Sequence, residues 1–438
     1  MAKSEKARTI LGLPVPRVLG WSCHSSNPVG SEYIIMEKAK GTALGDSWYQ
    51  LPNPVKHAII EQVVEVESKF ALLQFSEHGC IYYTNDLSTE YRHEESDPLP
   101  GDSSRKFCIG PLVESTLWDN GRSEMGLSRG PWRGLPDYAK CLGVNERAWA
   151  KQFARPRMNY YRSKDTAEMP TEYLDLIEKY LALAPCLSAS QANWDDLSKP
   201  TLWHHDFHLN NIYVDLSTNT IADIIDWQSV SVAPLLLQAR IPRMVRHFQP
   251  LPLGWVMPER PADYSQLDEK RKLKVDKNYE SALCQKYYEI ITAKRNPRHY
   301  SAITHNDGWK APHIEPLKVI SGAWSSGEVF RLRSSLMAAC EHWQELQTEP
   351  NECPITFSKE DKDLHNEETE NRGYVEELME EFQVSGILPA DGIVEPEDYE
   401  TLQTTNLEQK KKFMSLAENE SQKAWMNKIW PYQDDPEV

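Results

Sequence analysis

Residues 201–228 read TLWHHDFHLNNIYVDLSTNTIADIIDWQ, and this stretch constrains the fold more than any other. Two short β-rich runs, NIYVDL and TIADIIDW, flank STNT, whose polar residues suit a turn, so a tight antiparallel hairpin is expected. A tight hairpin brings its two outer ends together. Its entrance carries His204, His205, Asp206, His208 and Asn211, and its exit carries Asp226. Polar groups from both ends are therefore expected around one point.

The rest of the chain is large enough to support such a point with a real core. At 438 residues it has room for two or three domains or one large bilobal one, since compact domains run to about 100–200 residues. Hydrophobic residues make up 40% and aromatics 10%, with 14 Trp and 19 Tyr, too many large apolar side chains for a disordered protein. The formal charge of −17 repels a polyanion, which argues against nucleic acid, and favours a cationic ligand. Eight cysteines occur without a C-x-x-C pair, the pattern of reduced thiols in an intracellular protein. No apolar run approaches the roughly 20 residues of a membrane span. The opening MAKSEKARTILGL lacks a secretory core, and Glu5 among Lys3, Lys6 and Arg8 suits a surface helix better than a transit peptide.

Along the chain, LPVPRVLGW is extended by its prolines, and EYIIMEKAKGTAL reads as a buried strand over Tyr33–Met36 leading into a polar, glycine-closed connector. Residues 53–74 open with Asn53 as N-cap and Pro54 at the first helical position. Val55, Ile59, Val63, Val66 and Phe70 then recur at helical spacing. Residues 80–155 read as loops packed on a scaffold, with exposed tryptophans. Helical spacing resumes over 172–184, and YESALCQKYYEIITAK and GEVFRLRSSLMAACEHWQEL read as further helices. Residues 360–381 carry ten acidic side chains against Lys362 and Arg372, the pattern of a solvated helical face.

The hairpin's polar residues suit phosphoryl transfer. That reaction needs a carboxylate to orient or accept the acceptor hydroxyl, and oxygen ligands to hold Mg²⁺ against the phosphates. Asp206 fits the first role, and Asn211 and Asp226 the second. Four residues separate Asp206 from Asn211, as in the kinase catalytic loop. His204 is expected to hold the loop by bonding backbone. Each residue also has an ordinary reading: Asp206 as a turn former, Asn211 as a strand start, Asp226 as a helix cap. His204 and His208, four apart, also permit a zinc reading, but no HExxH arrangement or third soft ligand lies nearby. A hydrolase triad is disfavoured, since no G-x-S-x-G elbow is present.

LWHHDFHLNNIYVD and IIDWQSVSVAPLLLQARIP, preceded by LPVPRVLGW and EYIIMEKAKGTAL, together resemble the aminoglycoside phosphotransferase (phosphotransferase enzyme) family, a branch of the kinase-like superfamily. Within it, the later segments NPRHY, GEVFRLR and EDYE extend a likeness to the fungal group named altered inheritance of mitochondria protein 9. The resemblance implies an α+β, bilobal, kinase-like fold using ATP and Mg²⁺. It implies Asp206 as catalytic base, His204 as its positioning residue, and Asn211 and Asp226 as metal ligands. The connector after Met36 becomes the hinge, with the backbone of Glu37 and Ala39 pairing with adenine.

The corresponding division is 1–36 as the remnant of a small lobe, 37–45 as hinge, 46–348 as helical large lobe, and 349–438 as an acidic helical extension. The acceptor is an unspecified small-molecule hydroxyl, and a mitochondrial location follows from the likeness alone, with a cytoplasmic one as the alternative. His205, Leu209 and Asn210 stand where the family has smaller residues, and are expected to crowd the phosphates. No G-x-G and no G-x-x-x-x-G-K occurs in the chain, so the phosphate-gripping loop and its lysine are expected to be lost by N-terminal truncation. Transition-state stabilisation is then expected to be weak. Tyr33–Met36 is expected to offer an open apolar strand edge for self-association. The alternative function is a non-catalytic, pseudokinase-like interaction protein.

Overall fold

The computed structural model describes residues 1–430 apart from 74, 92–98, 100–101, 103–104, 164, 189–195, 229, 248, 250, 253, 307–310, 347–351 and 385–398. The chain begins with α1 (Ala2–Thr9) and an antiparallel pair, β1 (Val18–Ser22) with β2 (Tyr33–Met36). A connector carries the two-residue β3 (Thr42–Ala43) and leads to α2 (Asn53–Leu72). The hairpin β4 (Cys80–Tyr83) and β5 (Phe107–Gly110) follows, then α3 (Ser115–Trp118), α4 (Leu135–Phe153) and α5 (Pro170–Leu187). Next come β6 (Pro200–Trp203), β7 (Ile212–Asp215), β8 (Thr220–Ile224), β9 (Ser231–Pro234) and α6 (Leu235–Gln238).

The remainder is helical: α7 (Glu269–Arg295), α8 (Pro297–Asn306), α9 (Ala311–Val319), α10 (Val329–Glu341), α11 (Trp343–Leu346), α12 (Lys359–Val384), α13 (Tyr399–Ser415) and α14 (Glu420–Ile429). This is the α+β class expected, with helices around small antiparallel sheets.

α2 forms where the periodicity places it. Ile59, Ile60, Val63, Val64 and Phe70 are fully buried, and Phe70 packs edge-on against Trp203 and Trp227. Asn53 is the first helical residue and makes no capping bond, so the N-cap role expected for it is not filled. The reading of 80–155 as loops is corrected more substantially. α4 runs for 19 residues, and Leu135, Tyr138, Ala139, Leu142 and Trp149 face the core. Gly143 breaks the apolar pattern there for a packing reason. A Cβ at this position would stand 2.7 Å from Leu181 and Tyr180 of α5, so its absence lets the two helices approach. The tryptophans read as exposed are mostly inside, Trp132 and Trp149 being buried.

Two other expectations change. GEVFRLRSSLMAACEHWQEL splits at His342 into α10 and α11. The acidic run is helical as expected, but it is not wholly solvated. Glu368 is fully buried, 3.0 Å from Arg333 and 2.9 Å from Asn159, with Arg372 adding a third contact. A carboxylate so buried is tolerable only because it is paired, and it ties α12 to α10 through Arg333. Ile34, Ile35 and Met36 are exposed, and among the described residues β2 pairs only with β1. Among the described residues no helix is long and apolar enough to cross a membrane.

One buried group makes stability depend on pH. His78 is fully buried with neither ring nitrogen bonded, and burial lowers its pKa to about 3. A histidine held neutral by the fold stabilises above its unfolded pKa and loses that contribution as pH falls from about 6.5 toward 3. At pH 5 the loss from this side chain alone is about 2 kcal/mol. His78→Leu is expected to flatten the fall in urea midpoint between pH 7 and pH 5, measured against the parent protein.

Candidate active site

The hairpin forms as the alternation dictates. β7 and β8 pair antiparallel from Ile212↔Ile224 to Asp215↔Thr220, with Ile212, Val214 and Ile224 buried. Asn219 takes a left-handed φ of 57° at the turn, which asparagine tolerates better than most residues. β3 adds a third strand, with Thr42 opposite Val214 and Ala43 opposite Tyr213. The connector is thus laid directly on the hairpin, and Lys40 N–H donates to Asp223 Oδ2 at 2.7 Å.

Glycine makes that contact possible. Gly41 has φ +82°, and a Cβ there would sit 2.3 Å from Val214 O. A Cβ on Gly45 would meet Asn210 Oδ1 at 2.0 Å. The connector that starts at Glu37 is therefore pressed onto the loop that carries Asp206 and Asn211.

Each anticipated polar residue has an identifiable place. His204, at the end of β6, is buried, and its Nε2 lies 3.1 Å from Ile225 O. A carbonyl only accepts, so Nε2 carries the proton. Burial lowers the His204 pKa to about 4, so the ring stays neutral at physiological pH. Asn211 Nδ2 donates to Asp206 O at 2.9 Å and to Asp206 Oδ2 at 3.1 Å, while Ile225 N–H donates to Asn211 O at 3.0 Å. Trp227 Nε1 turns back to Ile224 O at 2.9 Å. The chain must bend sharply between Ile225 and Trp227, and Asp226 takes the bend with φ 60°. A non-glycine residue held in this region stores strain, a feature concentrated at functional sites.

The structure brings Asp206, Asn211 and the backbone around Asp226 together, as the hairpin argument expects. With Nδ2 turned to Asp206, the Asn211 carboxamide oxygen has no partner among the described residues. The half-buried Asp226 carboxylate has none either. One amide oxygen and one carboxylate suit Mg²⁺, which takes one or two protein oxygens and completes its shell with water and phosphate. The hinge expectation is narrowed. Glu37 N–H is already bonded to Arg17 O at 2.9 Å, leaving only the Glu37 carbonyl for a ligand, whereas Ala39 N–H has no partner among the described residues. Met36 closes β2 immediately before them.

The crowding expected from His205 is corrected. Its Nε2 lies 2.8 Å from Ser231 Oγ in β9, directed into the fold, and burial lowers its pKa to about 4. The zinc reading also loses its geometry, because His204 and His208 turn to separate partners. His208 Nδ1 accepts from Asn210 N–H at 3.2 Å, so its Nε2 is the donor toward Asp206 Oδ1 at 3.3 Å. His208 is thus a contact of Asp206 that the spacing argument passed over.

Glu67 is another. It reaches the back of the loop from α2, accepts from Tyr288 Oη at 2.7 Å, and is pushed up to about 8 by burial. Arg240, whose guanidinium donates to His205 O, is a third. Only the histidine stood within the motif where proximity in sequence could reveal it.

A connector packed on a hairpin, with Asp206, Asn211 and Asp226 around its open end, is the arrangement of a kinase-like phosphotransferase. The chain belongs to the phosphotransferase enzyme family, whose model matches residues 6–237. It is 27% identical to a subtelomeric hrmA-associated cluster protein of Aspergillus fumigatus, over 99% of this chain and 88% of that protein. It is 25% identical to the protein of Saccharomyces cerevisiae called altered inheritance of mitochondria protein 9, mitochondrial, over 82% of this chain and 60% of that one. The protein of the same name in Kluyveromyces lactis is 23% identical over 81% of this chain and 60% of its own length. No solved structure matches the chain.

The packing of the connector gives a direct test. Gly41→Ala meets both a backbone oxygen and an unfavourable φ, and is expected to lower stability by about 2–4 kcal/mol. Gly30 has φ +75° but open space around it, so Gly30→Ala is expected to cost only about 1 kcal/mol. Chemical denaturation of the two variants checks the difference.

Proposed function

We propose that the chain binds ATP with Mg²⁺ beneath the connector and transfers the γ-phosphoryl group to a hydroxyl of a small molecule. The observation that carries this reading is the bonding around Asp226: His204 to Ile225 O, Ile225 N–H to Asn211 O, and Asn211 Nδ2 to Asp206. These bonds support Asp206 as the carboxylate for the acceptor and the Asn211 and Asp226 side-chain oxygens, unpartnered among the described residues, as ligands for a metal. Bound Mg²⁺ supplies charge neutralisation on the transferring phosphates.

The chain's own groups do the rest. Asp206, oriented by Asn211 and His208, accepts the hydroxyl proton. His204, neutral and buried, holds the loop against Ile225. The Glu37 carbonyl and Ala39 N–H offer an acceptor and a donor to the adenine edge. The mitochondrial designation of two relatives makes that organelle the location to examine. A second reading, a non-catalytic interaction protein, is supported by the exposed apolar side chains of the β1–β2 pair, where Trp21, Ile34 and Ile35 are about half exposed. Copies of the chain could associate through its Tyr33–Met36 strand.

Thermal denaturation with ATP and Mg²⁺ separates the two. Stabilisation is expected to require both, to reach about 3 kcal/mol at a hundredfold excess over the Kd, and to vanish in Asp226→Ala. Asp206→Ala is expected to keep the nucleotide shift and to lose phosphoryl transfer from labelled ATP by about 10²-fold or more. An unliganded-like melting curve under all conditions supports the second reading and contradicts the first.

A further inference from the structure

Beyond α6 the chain runs ARIPRMVR, placing Arg240, Arg243 and Arg246 at three-residue intervals, all of them exposed. A cavity of about 230 Å³ lies between this segment and the hairpin entrance, lined among others by Asp206, His208, Arg240 and Arg243. Arg240 is oriented by its bond to His205 O. Asp206 is the carboxylate whose field acts on it, and Arg243 and Arg246 are near enough to oppose its charge. Among the described residues no carboxylate stands within ion-pair distance of any of the three. Elsewhere arginines commonly have one, as Arg122 does with Glu146, Arg157 with Glu168 and Arg298 with Asp196.

The overall acidity does not describe this cleft. Residues 349–438 hold 23 of the 65 carboxylates and 8 of the 48 lysines and arginines, which is 15 of the 17 excess negative charges. The preceding 348 residues are nearly neutral, so the charge of this cavity is set locally, by Arg240 and Arg243 against the single ionised carboxylate of Asp206, with Glu67 held up to about 8 by burial. Two planar forks beside one cavity match an oxyanion such as phosphate or carboxylate. Asn211 and Asp226 are not among the residues lining this cavity, although Asn211 adjoins it through its bond to Asp206.

We propose that Arg240 and Arg243 bind an oxyanionic group of the acceptor, making the substrate a phosphorylated or carboxylated hydroxy compound whose free hydroxyl is held at Asp206. The assignment rests on the phosphoryl-transfer reading above. In the step it implies, the acceptor oxygen gives its proton to Asp206 and forms the new O–P bond. The bond from the γ-phosphorus to the bridging oxygen breaks, and its electron pair leaves with ADP.

The experiment titrates inorganic phosphate, at constant ionic strength, into the full chain and follows ³¹P line broadening with and without ATP and Mg²⁺. Arg243→Gln, an exposed change that removes no bond, and Arg240→Gln are each expected to weaken phosphate binding about tenfold. Asp226→Ala and saturating ATP with Mg²⁺ are expected to leave it unchanged. Binding that survives both arginine changes, or absence of binding to the parent protein, overturns the proposal. Phosphate displaced by the nucleotide and lost in Asp226→Ala overturns it too, because the anion then occupies the nucleotide's own site. Should phosphate bind through the arginines while ATP with Mg²⁺ leaves the melting curve unmoved, the anion site stands and the acceptor role falls with phosphoryl transfer.

Discussion

One hydrogen bond organises the site: the buried His204 ring to the carbonyl of Ile225, 3.1 Å away. It joins the end of β6 to the end of β8, two points 21 residues apart, and so fixes the loop bearing Asp206 against the bend bearing Asp226. Its value comes from the low dielectric around it, where an unmade bond costs more than in water. The same burial lowers the histidine's pKa and preserves the neutral donor. The strain at Asp226 follows, since the carbonyl before it and the indole after it are both tied back to the hairpin.

Around that bond the structure separates tasks by position. The connector, held to β7 through β3 and kept close by Gly41 and Gly45, closes the site from one side. α2 supports it from behind through Phe70, which packs on Trp203 and Trp227, and through Glu67. The acidic end of the chain is joined to α10 through Glu368 and Arg333, and its charge is not the charge of the cleft. Net charge therefore gives a poor guide to what this site binds.

How much of this was legible in the sequence depended on the range of the forces involved. The β7–β8 hairpin and α2 announce themselves because their patterns are local and their apolar faces are continuous. That Asp206, Asn211 and the backbone beside Asp226 lie close together is legible for the same reason, as the hairpin's geometry alone brings its ends together. α4 was missed because Gly143, required by contact with α5, interrupts the very periodicity that marks a helix. The burial of Glu368 depends on Arg333, 35 residues away, and the approach of Arg240 to the loop is set by the path of β9 and α6. No spacing rule reaches that far. The connector after Met36 is half legible: its start follows from the strand before it, but which of its amides remain free depends on Arg17 across the sheet.

The central claim is that Asn211 and Asp226 hold one divalent cation, with its nucleotide, next to Asp206. Paramagnetic broadening of amide resonances by Mn²⁺ added with ATP tests it residue by residue. The account predicts loss of signal first at Asn211, Ile225 and Asp226, reversed by excess Mg²⁺ and absent in Asp226→Asn. Broadening centred on the acidic helix α12, with these three amides unaffected, would contradict it.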